Sequence, residues 1–254
     1  MKLFDPTQQA YQRRIFDTVQ ADLTRRGYDN NIAAFSKLRQ EFILTGAADL
    51  SPVFDFKTPG AGRANASGQN SATEVLLQNA SRFIALYLGI FLFRRDDTAA
   101  TGLGSSASID YTYPSAAVFI DAGATTAFTS LEQVYNGVAT FEQNKSKTFL
   151  SYPMKAFRHV PEFISRNTEA AAADTELYLQ PYQYGQGFVP LVPRWALAGD
   201  ATNKLTIESA GNVNNLFAIA PTAPAVRYGI AVELYGISLD NVTGEVLTQL
   251  ANLG

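Results

Sequence analysis

The run Phe83–Phe93, FIALYLGIFLF, lies between Arg82 and Arg94-Arg95, and its eleven residues carry no charge and no strongly polar side chain. A helix that crosses a bilayer takes about 20 apolar residues, so this run is too short to span a membrane in that form. As a strand it points Ile84, Leu86, Leu88, Ile90 and Leu92 one way, and Phe83, Tyr87, Phe91 and Phe93 the other. Both faces are apolar, so both must be covered. A second long run, Val226–Leu239, sets Val226, Tyr228, Ile230, Val232 and Leu234 on one face and keeps the other thin with Gly229 and Ala231. The two runs are the expected central strands of a sandwich.

Shorter strand candidates surround them. Val53–Lys57 alternates with period two. Gly137–Glu142 and Lys147–Phe157 form a hairpin candidate through Gln143-Asn144-Lys145. Ile109–Tyr113, Ala117–Ile120, Trp195–Ala198, Lys204–Glu208 and Leu216–Ile219 add further short strands, separated by Gly-, Asn- and Pro-containing turns. The prolines of Leu177–Val192 exclude a central strand there and point to an edge or a long ordered excursion. Helical signals are few. Asp5, Pro6 and Gln8 make a cap, a first-turn proline and a capping-box pattern, and Gly27 is a natural stop. Ile32–Leu44 starts with helical character and turns to strand at Glu41, and Val242–Leu253 reads as a short closing helix. Many strands, few helices and no βαβ alternation predict an all-β antiparallel sandwich at 46–254 behind an N-terminal helical arm at 1–45.

Within the arm, Tyr11, Ile15, Val19 and Leu23 recur at i+4 and make a narrow apolar stripe. Three readings stand for it: packing on the chain's own sandwich, docking on a neighbouring subunit, or presenting a basic face of Arg13, Arg14, Arg25 and Arg26 to phosphate or lipid. Asp17 and Asp22 dilute that last face. Only 17% of the residues are charged, against about 25% in ordinary domains. Contacts with other chains are the leading explanation for the shortage. The net charge of −3 gives no electrostatic case for general or sequence-specific nucleic-acid binding.

Chemistry is sparse. There is no cysteine and a single histidine, His159, which excludes zinc sites built on several such ligands. Gly60-Ala61-Gly62 lacks the continuation of a phosphate loop, and Gly102–Ser106 lacks the spacing of a nucleophile elbow. Asp96-Asp97 is the only adjacent acidic pair. No catalytic residue, cofactor or metal site is expected. Trp195 with Tyr178, Tyr182 and Tyr184 offers a sugar-stacking surface, but a core or subunit-interface role for Tyr182, Tyr184 and Trp195 is the stronger reading.

Taken together, the helical arm, the apolar strand Arg82–Arg94, the proline-bounded FVPLVPRWALAG at Phe188–Gly199 and the closing strand Arg227–Ile237 give the chain a layout that resembles jelly-roll capsid proteins of small icosahedral tailless phages. The resemblance implies one elaborated jelly roll, with a compact double jelly roll as the alternative. It also implies a virion shell subunit, made in the host cytoplasm, that assembles with copies of itself into trimers or larger capsomers and with other virion proteins. The alternative function is a carbohydrate- or protein-binding sandwich of the kind found in phage fibres and decoration proteins. MKLFDPTQQ has no apolar core of a secretory signal, in keeping with that location.

Overall fold

The computed structural model describes residues 6–29, 32–43, 51–57, 74–96, 109–114, 133–160, 187–208 and 226–253. Among them, helix α1 (Pro6–Arg25) is followed by nine strands and a closing helix. The strands are β1 (Ala33–Ile43), β2 (Val53–Asp55), β3 (Ser81–Asp96), β4 (Ile109–Tyr111), β5 (Val138–Gln143), β6 (Ser146–Pro153), β7 (Phe188–Ala198), β8 (Asn203–Glu208) and β9 (Val226–Asp240), and the closing helix is α2 (Gly244–Ala251). All pairings are antiparallel. One sheet runs β1-β9-β3 and continues to β7 along one half of β3 and to β4 along the other; the second runs β2-β8-β5-β6. The protein is an all-β sandwich.

The pairing is nested. With β4 set aside, β1 pairs with β9, β2 with β8, β3 with β7 and β5 with β6, so the chain is a long folded-back ribbon rolled on itself. Two further ladders, β3 with β9 and β5 with β8, stitch the roll into its two sheets.

β3 is the centre. It pairs with β9 from Ser81 opposite Asp240 to Asp96 opposite Val226, and no residue from Phe83 to Phe93 is exposed. Its strict alternation is broken, however. Against β9 the register shifts by one between Ala85 and Tyr87, the mark of a bulge on β3, whereas against β7 the same step runs from Trp195 to Pro190, so there the extra residues belong to β7. Phe83, Ala85, Leu88, Ile90 and Leu92 therefore face the space between the sheets, while Ile84, Leu86, Tyr87, Phe91 and Phe93 face the helices. The expected grouping of Ile84 and Leu86 with Leu88, and of Phe83 with Phe91, is corrected by that one extra residue. Gly236 lies opposite Ala85, and a Cβ there would stand 1.9 Å from the Ile84 carbonyl oxygen, so only glycine permits the approach.

Two local expectations hold in detail. Asn144 and Lys145 join β5 to β6 with φ of 48° and 67°, the left-handed pair of a type I′ hairpin. Thr243 caps α2 by accepting from the Val246 amide, and Leu247, Leu250 and Ala251 are buried beneath it. β1 departs from the sequence reading: it is strand from Ala33 onward, because eleven residues pair in unbroken register with β9, and tertiary pairing overrides the helical propensity of its first half. The boundary drawn at residue 45 therefore assigns β1 to the arm although β1 belongs to the sheet, and among the described elements only α1 precedes the sheet. Ala117–Ile120, Leu216–Ile219 and most of Leu177–Val192 lie outside the described residues. Among the described residues the strands make one sandwich, not two, and no helix is long and apolar enough to cross a membrane.

Leu88 is fully buried between the sheets. Leu88→Ala is expected to lower the unfolding free energy by about 2–5 kcal/mol in urea denaturation, through lost transfer energy and the cavity left behind. Leu88→Asp should abolish the folded state altogether.

Candidate functional site: a buried arginine–carboxylate cluster

The residues singled out in the sequence do not converge. Ile15, Val19 and Leu23 are at most 5% exposed and pack with Ile84, Leu86, Phe93 and the α2 leucines on the outer face of the β3 sheet. Of the three readings for the α1 stripe, the structure shows packing on the chain's own sandwich, so these three side chains are not free for a neighbour. Tyr11, one turn before Ile15, is 43% exposed. Phe16 extends the packing by stacking on Phe35 of β1 with ring centroids 4.7 Å apart. The helix ends as expected: the Tyr28 amide reaches back to the Leu23 carbonyl over Gly27, whose φ is +85°.

Trp195 is likewise internal. Its ring lies 3.9 Å from that of Phe141 and within 4° of parallel, one ring from each sheet, so it is core and offers no face to a sugar. Tyr182 and Tyr184 lie outside the described residues. The basic face is partly neutralised. Buried Asp22 accepts from Arg26 at 2.6 Å and lies 3.6 Å from Arg25, leaving Arg13 and Arg14 exposed beside Asp17 on a shallow groove of about 650 Å³ that Leu253 closes. His159 is exposed, and its backbone exchanges hydrogen bonds with Thr112.

The polar feature that stands apart was not read from the sequence. Alternation places Arg39 and Glu41 of β1, Glu233 of β9 and Asp110 of β4 on the helix-bearing face of the first sheet. Arg39 Nη1 and Nη2 donate to the two Asp110 oxygens at 2.6 and 2.8 Å, a bidentate pair. Arg39 Nε and Nη2 both donate to Glu41 Oε1, at 3.0 and 2.8 Å, and Nη1 also donates to Glu233 Oε1 at 2.6 Å. Lys37 stands 3.5 Å from the same Glu233 oxygen but is 42% exposed. Arg39, Glu41 and Glu233 are at most 3% exposed, and the Asp110 side chain keeps 14%. Glu74 borders the group by accepting from the Glu41 amide at 2.6 Å, next to the bridge that joins Arg39 and Val75.

Burial works against the Arg39 charge, but Asp110, Glu233 and Glu41 more than offset it and hold the guanidinium well above its ordinary pKa. Asp110 moves the other way from most paired carboxylates. Burial is the largest influence and pushes its pKa up; Arg39 pulls it down by charge and hydrogen bond, Glu233 and Glu41 push it up again, and the net shift is upward. One guanidinium thus serves three carboxylates drawn from three strands, with β9 and β3 lying between β1 and β4 in the sheet. Chemically the arrangement clamps strands and disfavours ionisation of Asp110. Among the described residues no set of acids or histidine is arranged to hold a metal ion, and here the arginine occupies the cationic position.

A sequence signal for this cluster existed. Glu233 is the one charge in the otherwise uncharged run YGIAVELYGISL, and a charge there requires a buried partner. The partner itself was not legible, because Arg39 is 194 positions away.

Arg39→Met is expected to cost about 3–5 kcal/mol of stability, since it leaves three buried carboxylates without their cation. Lys37→Met, at the half-exposed rim, should cost under about 1 kcal/mol. Chemical denaturation of the two variants side by side measures the difference. Compared with known protein families, curated proteins and solved structures, the chain matches none.

Proposed function

We propose that this chain is a structural subunit that assembles with copies of itself into a viral shell, and that its sandwich is a jelly roll. The observation that carries this reading is the nested strand pairing, first with last and inward to β5 with β6, which is the connectivity of a rolled eight-stranded ribbon. β4 is then an addition to the roll, and one roll is favoured over two. Jelly rolls serve in capsids and in lectins alike, so the fold alone does not choose between them.

Two features favour the shell. The charged share is low for a protein of this size, as expected when part of the surface meets other subunits. The aromatic residue on which a glycan platform was built, Trp195, is spent in the core. Stability of the single chain also fits a building block: α1 and α2 cover one outer face of the sandwich, giving each copy a finished core before assembly. In this reading Tyr11, Phe35 and Val192, each large, apolar and exposed, are available to neighbouring copies.

Electron microscopy and light scattering of the purified chain across salt and protein concentration test the proposal. Capsomers or closed particles are expected; a monomer under every condition, with α1 in place, overturns it. Removal of residues 1–27 is expected to unfold or aggregate the chain rather than merely block assembly, because it uncovers Ile84, Leu86 and Phe93; circular dichroism of the truncated protein reads this directly.

A further inference from the structure

We propose that the Arg39 cluster is a pH-operated latch: with Asp110 protonated the cluster holds β4 against the distant strands β1 and β9, and ionisation of Asp110 as the pH rises loosens β4. The inference is independent of the shell reading.

The geometry crowds three carboxylates onto one cation. Asp110 Oδ2 and Glu233 Oε1 both lie 2.6 Å from the same Arg39 nitrogen, Nη1, so the two oxygens stand within twice that distance of one another. Asp110 Oδ1 and Glu41 Oε1 are likewise both 2.8 Å from Nη2. Three ionised carboxylates around one guanidinium leave an excess of negative charge in a site almost closed to water, and like charges so placed do not all ionise together. The charged groups that face Asp110 are Arg39 and Glu41 from β1 and Glu233 from β9. Lys37 sits at the rim beside Glu233, and Glu74 lies beyond Glu41. The upward shift of Asp110 agrees with a cluster that retains a proton.

β4 is the element that depends on it. Its ladder to β3 is only three residues long, Ile109 to Tyr111 opposite Arg94 to Leu92, and Thr112 adds the exchange with His159. Asp110 ties it across the sheet to β1 and β9. With the proton in place the bidentate grip of Arg39 meets little opposition; without it Glu41 and Glu233 repel Asp110 from the same guanidinium.

The sign follows from the raised value. The latch contributes fully below the ordinary carboxylate pKa of 3.8, and the contribution is lost as the pH rises through the higher value of the closed state. Amide exchange of Ile109–Tyr111, followed by NMR from about pH 4 to about pH 8 and corrected for intrinsic rate, is expected to show the opening constant rising about tenfold per pH unit and then levelling. Amides of β5 and β8 serve as the reference and should stay flat. A flat profile in β4, or an equal rise in β5 and β8, overturns the proposal. Asp110→Asn keeps an acceptor for Arg39 but cannot ionise, so its β4 profile should be flat; a retained slope also overturns it. Should that variant fail to fold, Glu233→Gln removes one repelling charge and must move the levelling point to lower pH, and an unchanged point overturns the latch.

Discussion

A strand buried on both faces cannot exist without two covers, and β3 imposes that condition on the whole protein. One cover is the second sheet, which meets Leu88, Ile90 and Leu92. The other is the pair of helices, which meet Ile84, Leu86 and Phe93. Sequence elements far from β3 are placed by this need. α1 lies on its own sheet because its apolar stripe fits a face that water would otherwise wet, and α2 returns to the same face after β9. Arg194 of β7 holds that arrangement by donating to the Leu253 and Ala251 carbonyls at the end of α2, where a cation suits the helix dipole.

Against this apolar frame, the buried polar groups that tie elements together are closely engaged. Asn203 is completely buried and donates to the Ala198 carbonyl at 2.9 Å, while its side-chain oxygen accepts from Gln143 at 3.1 Å; together they tie the β8 and β5 ends of one sheet to β7 of the other. The Arg39 cluster follows the same rule on the other face, but with charge in place of amide. Isolated, each of its acids would be costly there. The price of burying them is set by how well one guanidinium satisfies all three, and this makes Arg39 harder to replace than any single acid.

How much of this was legible depended on sequence distance. The long strands, the Asn144-Lys145 turn and the short closing helix are written in adjacent residues, and sequence patterns located them. The bulge in β3 was not visible, because its cause sits across the ladder at Gly236 rather than within FIALYLGIFLF. β1 misled for a similar reason: Ala33 and Ala34 prefer helix locally, and only β9 makes them strand. Trp195 was readable as core or subunit interface from its place at the start of an apolar strand, and only Phe141 of the opposite sheet decides for core. The charged cluster was the least readable feature, since its parts come from β1, β4 and β9 and no spacing links them.

The nested pairing also carries a consequence in time. β3 needs β9 along its entire length, yet some 130 residues separate the end of one from the start of the other. At ribosomal rates of about 5–20 residues per second, roughly ten seconds pass between their syntheses. Throughout that interval the most water-averse segment of the chain lacks the one partner that covers its full length. A nascent chain of this design is a client for holding chaperones, and its yield in a cell depends on how well that wait is chaperoned, apart from how stable the finished sandwich is.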